Sequence, residues 1–434
     1  MSTIDRALGR GLSGDGLSED DALLLALAAG PALDDLCAAA DELRRTLLGE
    51  QGTYVVNRNI NFTNVCVMRC GFCAFSRTLK SDEGYYLPIA EVVRRAAQAQ
   101  AFGATEVCIQ AGLVPRGHGR VYAELVRAVK AECPDLHLHA FSPEEVRYAA
   151  KLSGRTVRDV LSELKDAGLG SLPGTSAEIL DDELRSRLAP GRISVAQWTE
   201  VIREAHALGL PTTSTMMFGH IETPLHRVAH LLYLRRLQAE TGGFTEFVPL
   251  GFVHQEAPMF HAEVGARPGA TLDEQRGVHA LARLVFGRSL PHIQVSWVKV
   301  GFEVAAELLR GGVDDVGGTL MNESISTTAG ASHGQVATPA RLRGLLRSVG
   351  RRPVERDTRY RTLRVFDGPF DGPFDGEGES MEPEARSPLD DLKNPDEVFG
   401  SYAELAADPA FRYRPEVGPD VGPEANAERA RNVT

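Results

Sequence analysis

The stretch Cys66-Val-Met-Arg-Cys70-Gly-Phe-Cys73 places three cysteines in a C-x3-C-x2-C loop. Three thiolates are soft ligands that suit an iron–sulfur cube, and without a fourth cysteine in the loop one iron stays open. An open iron can bind a small molecule through an amine and a carboxylate and deliver an electron to it, whereas a cluster held by four cysteines only passes electrons along. The loop therefore predicts a reaction centre.

Zinc and ferredoxin-type sites fit the cysteine pattern less well. Structural zinc takes four ligands, and no second C-x2-C motif or nearby histidine pair follows Cys73. A ferredoxin needs a fourth cysteine close by, but Cys37 and Cys133 fall in predicted helices and Cys108 in a predicted strand, where each packs as a small apolar residue. Phe72 is open to two interpretations, loop packing and stacking on the adenine of a bound cofactor.

Length and composition are those of a large enzyme. The chain has 434 residues, 43% of them apolar, which is enough for one barrel domain with extensions. No apolar run is long enough to span a membrane and the first residues lack the pattern of a signal peptide, so we expect a cytoplasmic protein with no membrane partner. Most of the net charge of −12 lies from Phe366 onward, where 17 acidic residues face 6 basic ones. No basic patch suggests nucleic acid binding.

The acidic C-terminal part opens with the repeat Phe366-Asp-Gly-Pro-Phe370-Asp-Gly-Pro-Phe374. Frequent Gly and Pro prevent a helix, and excess charge leaves too little burial to offset chain entropy, which predicts disorder over about 366–390. Residues 394–405 have the pattern of a short docking helix, although a solvated tail is the favoured interpretation. The predicted organisation is a helical extension over 1–50, a barrel over 51–350, and an acidic, largely disordered tail over 351–434.

Strand and helix patterns alternate between Thr53 and Gly350, which predicts an α/β fold, the closed (βα)8 TIM-type barrel. A helix is predicted to start at Ser142-Pro143-Glu144-Glu145, where a capping serine, a first-turn proline and a reciprocal glutamate coincide. Two further helices are expected within Glu19–Leu48. The predicted strands are Val55–Phe62, Thr105–Ala111, Leu136–Phe141, Leu169–Pro173, Thr212–Phe218, Phe244–Leu250, His292–Val298 and Asp315–Gly318, and predicted helices include Ile89–Ala101, Tyr122–Glu132, Val195–Leu208, Pro224–Thr241 and Leu272–Phe286.

Polar side chains are predicted to face the barrel interior. In Leu136-His137-Leu-His139 the apolar residues belong against the helices, so both histidines point inward. A barrel that only packs itself fills its centre with Val, Ile and Leu. A polar lining therefore indicates a sizeable polar substrate, although an internal hydrogen bond explains any single residue at least as well. The same alternation directs inward Gln110, Glu246, Gln294 and Ser296.

The cysteine loop follows the first strand, at the end of the barrel where barrel enzymes carry their chemistry. Other suggestive groups follow strands at the same end. Glycines there let the backbone approach a ligand, and Glu178 and Glu222 can accept hydrogen bonds from ribose hydroxyls or an ammonium group. These groups are Gln110-Ala-Gly112, Pro173-Gly-Thr-Ser-Ala-Glu178, Gly219-His220-Ile-Glu222, Lys299 and Asn322-Glu323.

The stretch Asn59-Ile-Asn-Phe-Thr-Asn-Val-Cys66, with the cysteine loop, resembles the cluster loop of radical S-adenosylmethionine (SAM) enzymes of deazaflavin and futalosine-route menaquinone biosynthesis. Within that group the chain resembles CofH, the 5-amino-6-(D-ribitylamino)uracil–L-tyrosine 4-hydroxyphenyl transferase family of FO synthase subunits. The resemblance spans about residues 15–350, and Ala111 stands where a second glycine is expected. Its phrases are His137-Leu-His-Ala-Phe-Ser-Pro-Glu-Glu145, Ala167-Gly-Leu-Gly-Ser-Leu-Pro-Gly-Thr-Ser-Ala-Glu-Ile-Leu180, Thr215-Met-Met-Phe-Gly-His220 and Glu240-Thr-Gly-Gly-Phe-Thr-Glu-Phe-Val-Pro-Leu250.

The resemblance implies a 4Fe-4S cluster on Cys66, Cys70 and Cys73, with SAM on the open iron. The reduced cluster would cleave SAM to methionine and a 5′-deoxyadenosyl radical. This radical would abstract hydrogen from the amino group of L-tyrosine, the Cα–Cβ bond would break, and the 4-hydroxybenzyl fragment would add to carbon 5 of 5-amino-6-(D-ribitylamino)uracil. The residues expected to hold SAM are Phe72, Gln110, Glu178 and Glu222, and those expected to face tyrosine and the uracil are His139, His220, Glu246, Gln294 and Lys299.

Two other functions stay open. An aminofutalosine synthase or cyclic dehypoxanthinylfutalosine synthase has the same cluster and barrel but a purine nucleoside substrate, and the third- and sixth-strand phrases argue against it. A non-enzymatic iron–sulfur or zinc scaffold protein fits three thiolates in a polar barrel poorly. Because the sequence has no second cysteine loop, the ring closure that completes FO is expected from the partner subunit CofG.

Overall fold

The computed structural model describes residues 2–114, 119–262, 265–367 and 387–414. Over these residues, parallel strands alternate with helices along most of the chain. The strands are β1 (Gln51–Val55), β2 (Asn57–Ile60), β3 (Glu106–Ile109), β4 (His137–Ala140), β5 (Thr212–Phe218), β6 (Phe244–Gly251), β7 (Asp315–Gly318), β8 (Arg352–Arg356) and β9 (Thr362–Val365). The helices are α1 (Thr3–Gly11), α2 (Glu19–Leu25), α3 (Pro31–Leu48), α4 (Ile89–Ala101), α5 (Val121–Glu132), α6 (Pro143–Ser153), α7 (Val157–Ala167), α8 (Asp182–Leu188), α9 (Val195–Ala207), α10 (Pro224–Thr241), α11 (Pro258–His261), α12 (Leu272–Phe286), α13 (Trp297–Arg310), α14 (Ile325–Thr328), α15 (Pro339–Ser348), α16 (Pro395–Phe399) and α17 (Tyr402–Ala407).

The strands form three hydrogen-bonded sheets with the orders β7-β1-β8-β9, β2-β3-β4 and β5-β6. Every pairing is parallel except that of β8 with β9. β1 and β2 are separated by Val56, so the chain itself connects the first two sheets. Single bridges continue the order, joining His139 with Ser171, Leu172 with Thr212, Phe247 with Ile293 and Gln294 with Asp315.

The helix predictions are confirmed where local signals are strong. The ends of α4, α10 and α12 coincide with the predicted ones. At the start of α6, Glu145 N donates to Ser142 Oγ at 3.3 Å and Ser142 N donates to Glu145 Oε2 at 2.8 Å, which is the expected capping box. The two helices expected within Glu19–Leu48 are α2, which contacts α10, and α3, which packs against α12 and α13. Of the helices described, none is both long and apolar enough to cross a membrane.

Two of the predicted strands do not form regular strands. The Leu169–Pro173 segment makes only single bridges, because Gly170 weakens an extended segment and Pro173 has no N–H to donate. The His292–Val298 segment also makes single bridges and then enters α13 at Trp297, whose side chain is buried.

The chain beyond residue 350 differs from the predicted disordered tail wherever it is described. β8 pairs in parallel with β1 over four residues, and β9 extends the same sheet. β8 carries two apolar residues among charges, so its periodicity does not mark it as a strand; Arg356 is buried because it pairs with Asp315 at 2.5 Å. Further on, α16, α17 and a 3-10 turn at Pro388–Asp391 pack on the body. Most of the acidic repeat falls in 368–386, outside the described residues.

Candidate active site

A cavity of about 390 Å³ opens at the carboxyl ends of the parallel strands, and the cysteine loop forms part of its wall. Cys66, Cys70 and Cys73 all line the cavity as free, partly buried thiols. The structure therefore brings the three predicted cluster ligands together in one place. The other predicted residues on the same wall are Phe72, Gln110, Glu178, Ser296, Lys299 and Glu323.

Backbone hydrogen bonds tie the cysteine loop to its surroundings. Cys66 N donates to Arg77 O at 3.0 Å, which closes the loop on itself. Gly71 N donates to Leu188 O at the end of α8 at 2.8 Å, and Met259 N in α11 donates to Gly71 O at 2.7 Å. The loop is thus anchored to two helices, and the thiols reach the cavity from a supported backbone.

The chemistry of the thiols fits an iron–sulfur cluster. Burial raises the pKa of Cys66 and raises that of Cys70 to about 12, so both thiols stay protonated in the apoprotein. Coordination to iron replaces the proton and stabilises the thiolate. Among the described residues, no group of three or more His, Cys, Asp or Glu is arranged to hold a single metal ion. In a cluster each cysteine binds a different iron, so the three thiolates need not converge on one point.

The turn after β3 lies directly beside the start of the cysteine loop. A Cβ atom on Gly112 would lie 2.3 Å from Val65 O, so only glycine fits there. Thr175 Oγ1 donates to Gln110 Oε1 at 3.1 Å, and Ala111 N donates to Glu145 Oε1 at 2.9 Å. Burial raises the pKa of Glu145 to about 7. Glu145, predicted only as a helix cap, thus also orients this turn.

Arg192 organises the part of the wall next to the cysteine loop, and sequence reasoning missed it. Its Nη1 donates to Glu178 Oε1 at 2.8 Å, its Nε to Glu144 Oε2 at 3.0 Å and its Nη2 to Ser176 Oγ at 2.5 Å. The guanidinium carbon also lies 5.7 Å from the centre of the Phe72 ring. Ser176 and Glu178 have positive φ values of 66° and 44°, conformations that side chains rarely adopt without support. Arg192 supplies that support; a basic residue in a Pro-Gly loop was the only signal in the sequence.

Lys299 and Glu323 line a further part of the wall. Within the part of the chain that the structure describes, no hydrogen bond or ion pair engages the Lys299 ammonium group. Burial lowers the pKa of Lys299, while the nearby carboxylates of Glu323 and Glu178 oppose that shift. The Glu323 carboxylate accepts hydrogen bonds from Ile325 N at 3.1 Å and Ser326 N at 3.0 Å. Lys299 is therefore a cation on the cavity wall whose hydrogen bonds remain to be made.

His139, Glu246 and Gln294, expected to face the substrates, do not line the cavity. His139 Nδ1 lies 2.7 Å from Ser171 Oγ, and burial lowers its pKa to about 4. Glu246 accepts a hydrogen bond from the Tyr360 hydroxyl, and burial raises its pKa to about 7. The Gln294 amide packs against the backbone of β7 at Gly317. His139 and Glu246 therefore already have hydrogen-bond partners within the protein.

His220 and Glu222 do not line the cavity either. His220 Nδ1 accepts from Ile221 N at 2.7 Å, and its Nε2 lies 3.0 Å from Met217 O. The Glu222 carboxylate accepts from Gly219 N and His220 N, both at 2.8 Å, and from Arg227 Nε at 2.8 Å. Although burial opposes its charge, His220 and Arg227 hold the pKa of Glu222 at about 2. The expected roles of both residues at SAM or substrate have no support in this geometry, because their polar atoms are already bonded.

Two family models cover most of the body of the chain. That of the radical SAM superfamily matches residues 60–234, and that of the CofH/MqnC C-terminal region matches residues 241–367. A three-cysteine loop on a cavity at the ends of parallel strands agrees with the first match. Fold and site thus define a radical SAM protein.

Similar proteins identify the family to which the chain belongs within this superfamily. The 5-amino-6-(D-ribitylamino)uracil–L-tyrosine 4-hydroxyphenyl transferase of Methanopyrus kandleri is 47% identical over 367 residues, which cover 82% of this chain and 99% of that protein. The transferase of the same name from Methanothermobacter thermautotrophicus is 48% identical over 347 residues, 80% of this chain and 94% of that protein. The chain belongs to this family of CofH-type transferases. FO synthase of Mycobacterium tuberculosis is 48% identical over 348 residues, and there the match spans only 40% of that longer protein.

Solved structures share the fold at low sequence identity. The FeFe-hydrogenase maturase HydG from Carboxydothermus hydrogenoformans has a TM-score of 0.63 at 15% identity, with coverage of 82% of this chain and 80% of that chain. Methylornithine synthase (PylB) has a TM-score of 0.58 at 19% identity, with coverage of 76% and 88%. These similarities concern the fold alone.

Proposed function

We propose that this protein transfers the 4-hydroxybenzyl group of L-tyrosine to 5-amino-6-(D-ribitylamino)uracil, a step in the biosynthesis of the deazaflavin FO. In this reaction the Cα–Cβ bond of tyrosine breaks and a carbon–carbon bond forms at carbon 5 of the uracil. The observation that carries the proposal is the 47% identity along 99% of the M. kandleri transferase, together with three cysteine thiols on one cavity wall.

A 4Fe-4S cluster on Cys66, Cys70 and Cys73, with SAM at its open iron, is the cofactor set that we infer. When bound, cluster and SAM supply the hydrogen-abstracting radical, and this chemistry belongs to the cofactors. The chain contributes a supported loop, thiols that would release their protons to solvent on binding iron, and a partly enclosed cavity that limits the access of water.

We assign Glu178 and Gln110 as acceptors for the ammonium and ribose hydroxyl groups of SAM. Both lie on the cavity wall beside the thiols, and Arg192 and Thr175 hold them in place. Phe72 offers its ring as a stacking surface for adenine. Because Glu222 has its oxygens occupied, it is excluded from this set and acts on the conformation of its own loop.

The Lys299 ammonium group is assigned to the carboxylate of tyrosine. It lies on the cavity wall without a hydrogen-bonded partner, and an amino-acid substrate brings an anionic group that can supply one. A charge-assisted hydrogen bond in a site of low dielectric constant is stronger than the same bond in water. Lys299 therefore binds and orients tyrosine, and His139, His220, Glu246 and Gln294 support the scaffold.

The order of neighbouring strands favours a closed (βα)8-type barrel around this site. From β2 the order runs through β3, β4, residues 171–172, β5, β6, residues 293–294 and β7, which pairs with β1. Since β1 leads directly into β2, this is the order that the eight parallel strands of a closed barrel would have.

A second protein is proposed to complete the deazaflavin ring. The match covers 40% of the length of the M. tuberculosis FO synthase, so the remaining part of that relative has no counterpart in this match. We propose that CofG, the other FO synthase subunit, corresponds to that unmatched part and is the partner protein. The expected product passes to it for ring closure.

One anaerobic experiment tests the function. The reconstituted protein is incubated with SAM, a reductant, tyrosine and the ribitylaminouracil, and products are identified by mass spectrometry. Formation of 5′-deoxyadenosine that requires tyrosine, with a hydroxybenzyl adduct of the uracil, is expected; the Cys70→Ala variant serves as the matched control. Turnover that requires a futalosine compound and ignores tyrosine would overturn the proposal in favour of the menaquinone enzymes.

A further inference from the structure

Residues 387–414, here called the C-terminal strap, lie outside both family models, the second of which ends at residue 367. The match to the M. kandleri transferase uses 82% of this chain to cover 99% of that protein, so part of the chain is additional to it. The strap is nevertheless packed on the body, with Leu389, Phe399 and Leu405 buried. Three sets of contacts hold it there.

The first contact is made by Tyr402 and involves both flanks of the cysteine loop. Asn64, two residues before Cys66, donates its Nδ2 to the Tyr402 hydroxyl at 2.9 Å. Phe75, two residues after Cys73, has its ring centre 5.5 Å from that of Tyr402. Tyr402 thus contacts the segment just before the cysteine loop and the segment just after it.

Asn64 is itself a support of the loop. Its side chain is fully buried, its Nδ2 also donates to Glu83 O at 2.8 Å, and its Oδ1 accepts from Tyr85 N at 2.9 Å. The backbone carbonyl of Asn64 accepts from Arg77 N at 2.7 Å, next to the bond that closes the cysteine loop. Because Tyr402 completes the set of partners of this buried amide, its removal would leave a polar group unsatisfied beside the thiols.

The second contact lies at the end of the strap, which runs along the segment after the cysteine loop. Tyr86 N donates to Phe411 O and Tyr413 N donates to Gly84 O, both at 2.7 Å. The side chains of Arg412 and Asp82 form an ion pair beside them. This antiparallel pairing fixes the strap to the segment that returns from the loop to α4.

The third contact reaches the other side of the cavity. Asn322 Nδ2 donates to Phe399 O at 3.2 Å and to Gly400 O at 2.5 Å, and Gln335 Nε2 donates to Gly400 O at 3.1 Å. Asn322 precedes Glu323, which lines the cavity. The strap therefore spans from the cysteine loop to the strand end that carries Glu323.

We propose that the C-terminal strap, acting mainly through Tyr402, is a positioning element that holds the cysteine loop in its cluster-binding shape and slows loss of the cluster. The proposal rests on the proposed function only in that the loop binds a cluster. The strap contacts the flanks of the loop and leaves the thiols open to the cavity, so it stabilises the site without entering it.

The test uses the full chain with three substitutions. Tyr402→Phe removes the hydroxyl and keeps the ring, Tyr402→Ala removes both, and Val398→Ala alters an exposed strap residue that does not touch the loop. In the apoprotein, hydrogen exchange of the amides of 64–86 is expected to be roughly tenfold faster in Tyr402→Ala, a factor equal to about 1.4 kcal/mol. In the reconstituted protein, loss of cluster absorbance to a chelator is expected to accelerate by a similar factor. Tyr402→Phe is expected to show a smaller effect in both assays, and Val398→Ala none.

Wild-type exchange over 64–86 and wild-type cluster loss in Tyr402→Ala would overturn the proposal. Thermal unfolding of each variant identifies a general loss of stability, and if Tyr402→Ala is unfolded, Tyr402→Phe decides, because its ring packing is retained. Exchange that accelerates equally throughout the chain would also count against a local role. If the strap results hold but tyrosine-dependent deoxyadenosine is missing, the proposed reaction fails and the strap proposal stands.

Discussion

Arg192→Gln removes a guanidinium that holds two carboxylates at the candidate site. The distances are 2.8 Å from Nη1 to Glu178 and 3.0 Å from Nε to Glu144, and the side chains of Arg192, Glu178 and Glu144 are 11%, 16% and 10% exposed. A hydrogen bond to a charged group contributes about 1.5–3 kcal/mol. Glutamine retains one donor group and the carboxylates keep some access to water. We therefore expect the substitution to remove about 3 kcal/mol of interaction free energy, which is less than the sum of the two hydrogen bonds.

This loss should appear as weaker SAM binding, because Arg192 fixes Glu178 and lies against Phe72. About 3 kcal/mol corresponds to roughly a 100-fold rise in Kd. Iron content should stay at the wild-type level, since the thiols are unchanged. Arg192→Lys keeps the positive charge, but its compact ammonium group cannot contact both carboxylates as the planar guanidinium does. We therefore expect the affinity for SAM to fall about tenfold. The assay is SAM binding to anaerobically reconstituted protein, followed by the change that SAM causes in the electron paramagnetic resonance of the reduced cluster.

Arg203 provides the matched control for the Arg192 experiment. Its Nε and Nη2 both donate to Glu240 at 2.7 Å, but the side chain is 53% exposed, so Arg203→Gln should cost below about 1 kcal/mol and leave SAM binding unchanged. Wild-type SAM affinity in a folded Arg192→Gln protein would refute the role given to Arg192. Equal effects of the two substitutions would show that the loss does not arise at the site.

Cys73→Ala should prevent stable cluster incorporation, read as iron per chain and as deoxyadenosine formed; full turnover would contradict the ligand assignment. Lys299→Met should raise the KM for tyrosine roughly tenfold or more with cluster content unchanged. Lys299→Arg should raise this KM by less. An unaltered KM in Lys299→Met would exclude Lys299 as the carboxylate partner. Burial lowers the pKa of His139 from 6.5 to about 4, so acid protonates the unfolded chain first and stability falls between about pH 6.5 and 4. His139→Asn should flatten that fall in urea unfolding of the apoprotein by up to about 3 kcal/mol; an identical pH profile would rule out this contribution.

Short-range patterns allowed much of this structure to be predicted. The capping box at Ser142 and the spacing of Cys66, Cys70 and Cys73 depend on residues only a few positions apart; the capping box is confirmed, and the three cysteines line one cavity. The turn at Gln110 was also recognised, because glycine at a strand end has a clear physical meaning. In each of these cases, the signal and the structure it specifies lie in the same segment of chain.

Long-range contacts explain what was missed. Arg192 meets Glu144 across 48 residues, and no periodicity links the two positions. Glu222 was expected to hold SAM because carboxylates suit that task, but its oxygens are taken by its own loop and by Arg227. The type of residue was recognisable in both cases, whereas its partner depended on the packing of distant elements. β8 was missed for the same reason, since Arg356 becomes a buried strand residue only when Asp315 is beside it.

The polar residues predicted to face the substrates divide into two layers, and we expect only one of them to bind a substrate. His139 is bonded to Ser171, and Glu246 to Tyr360 and Arg356, so these buried groups already stabilise one conformation. Lys299 points into the cavity without such a partner. Alternation along a strand predicts the direction of a side chain such as Glu246 but not its partners, and a position after a strand, such as that of Lys299, does not predict partners either. Because an unsatisfied polar group in a protected cavity gains most from an incoming ligand, the layer around Lys299 is where tyrosine should bind.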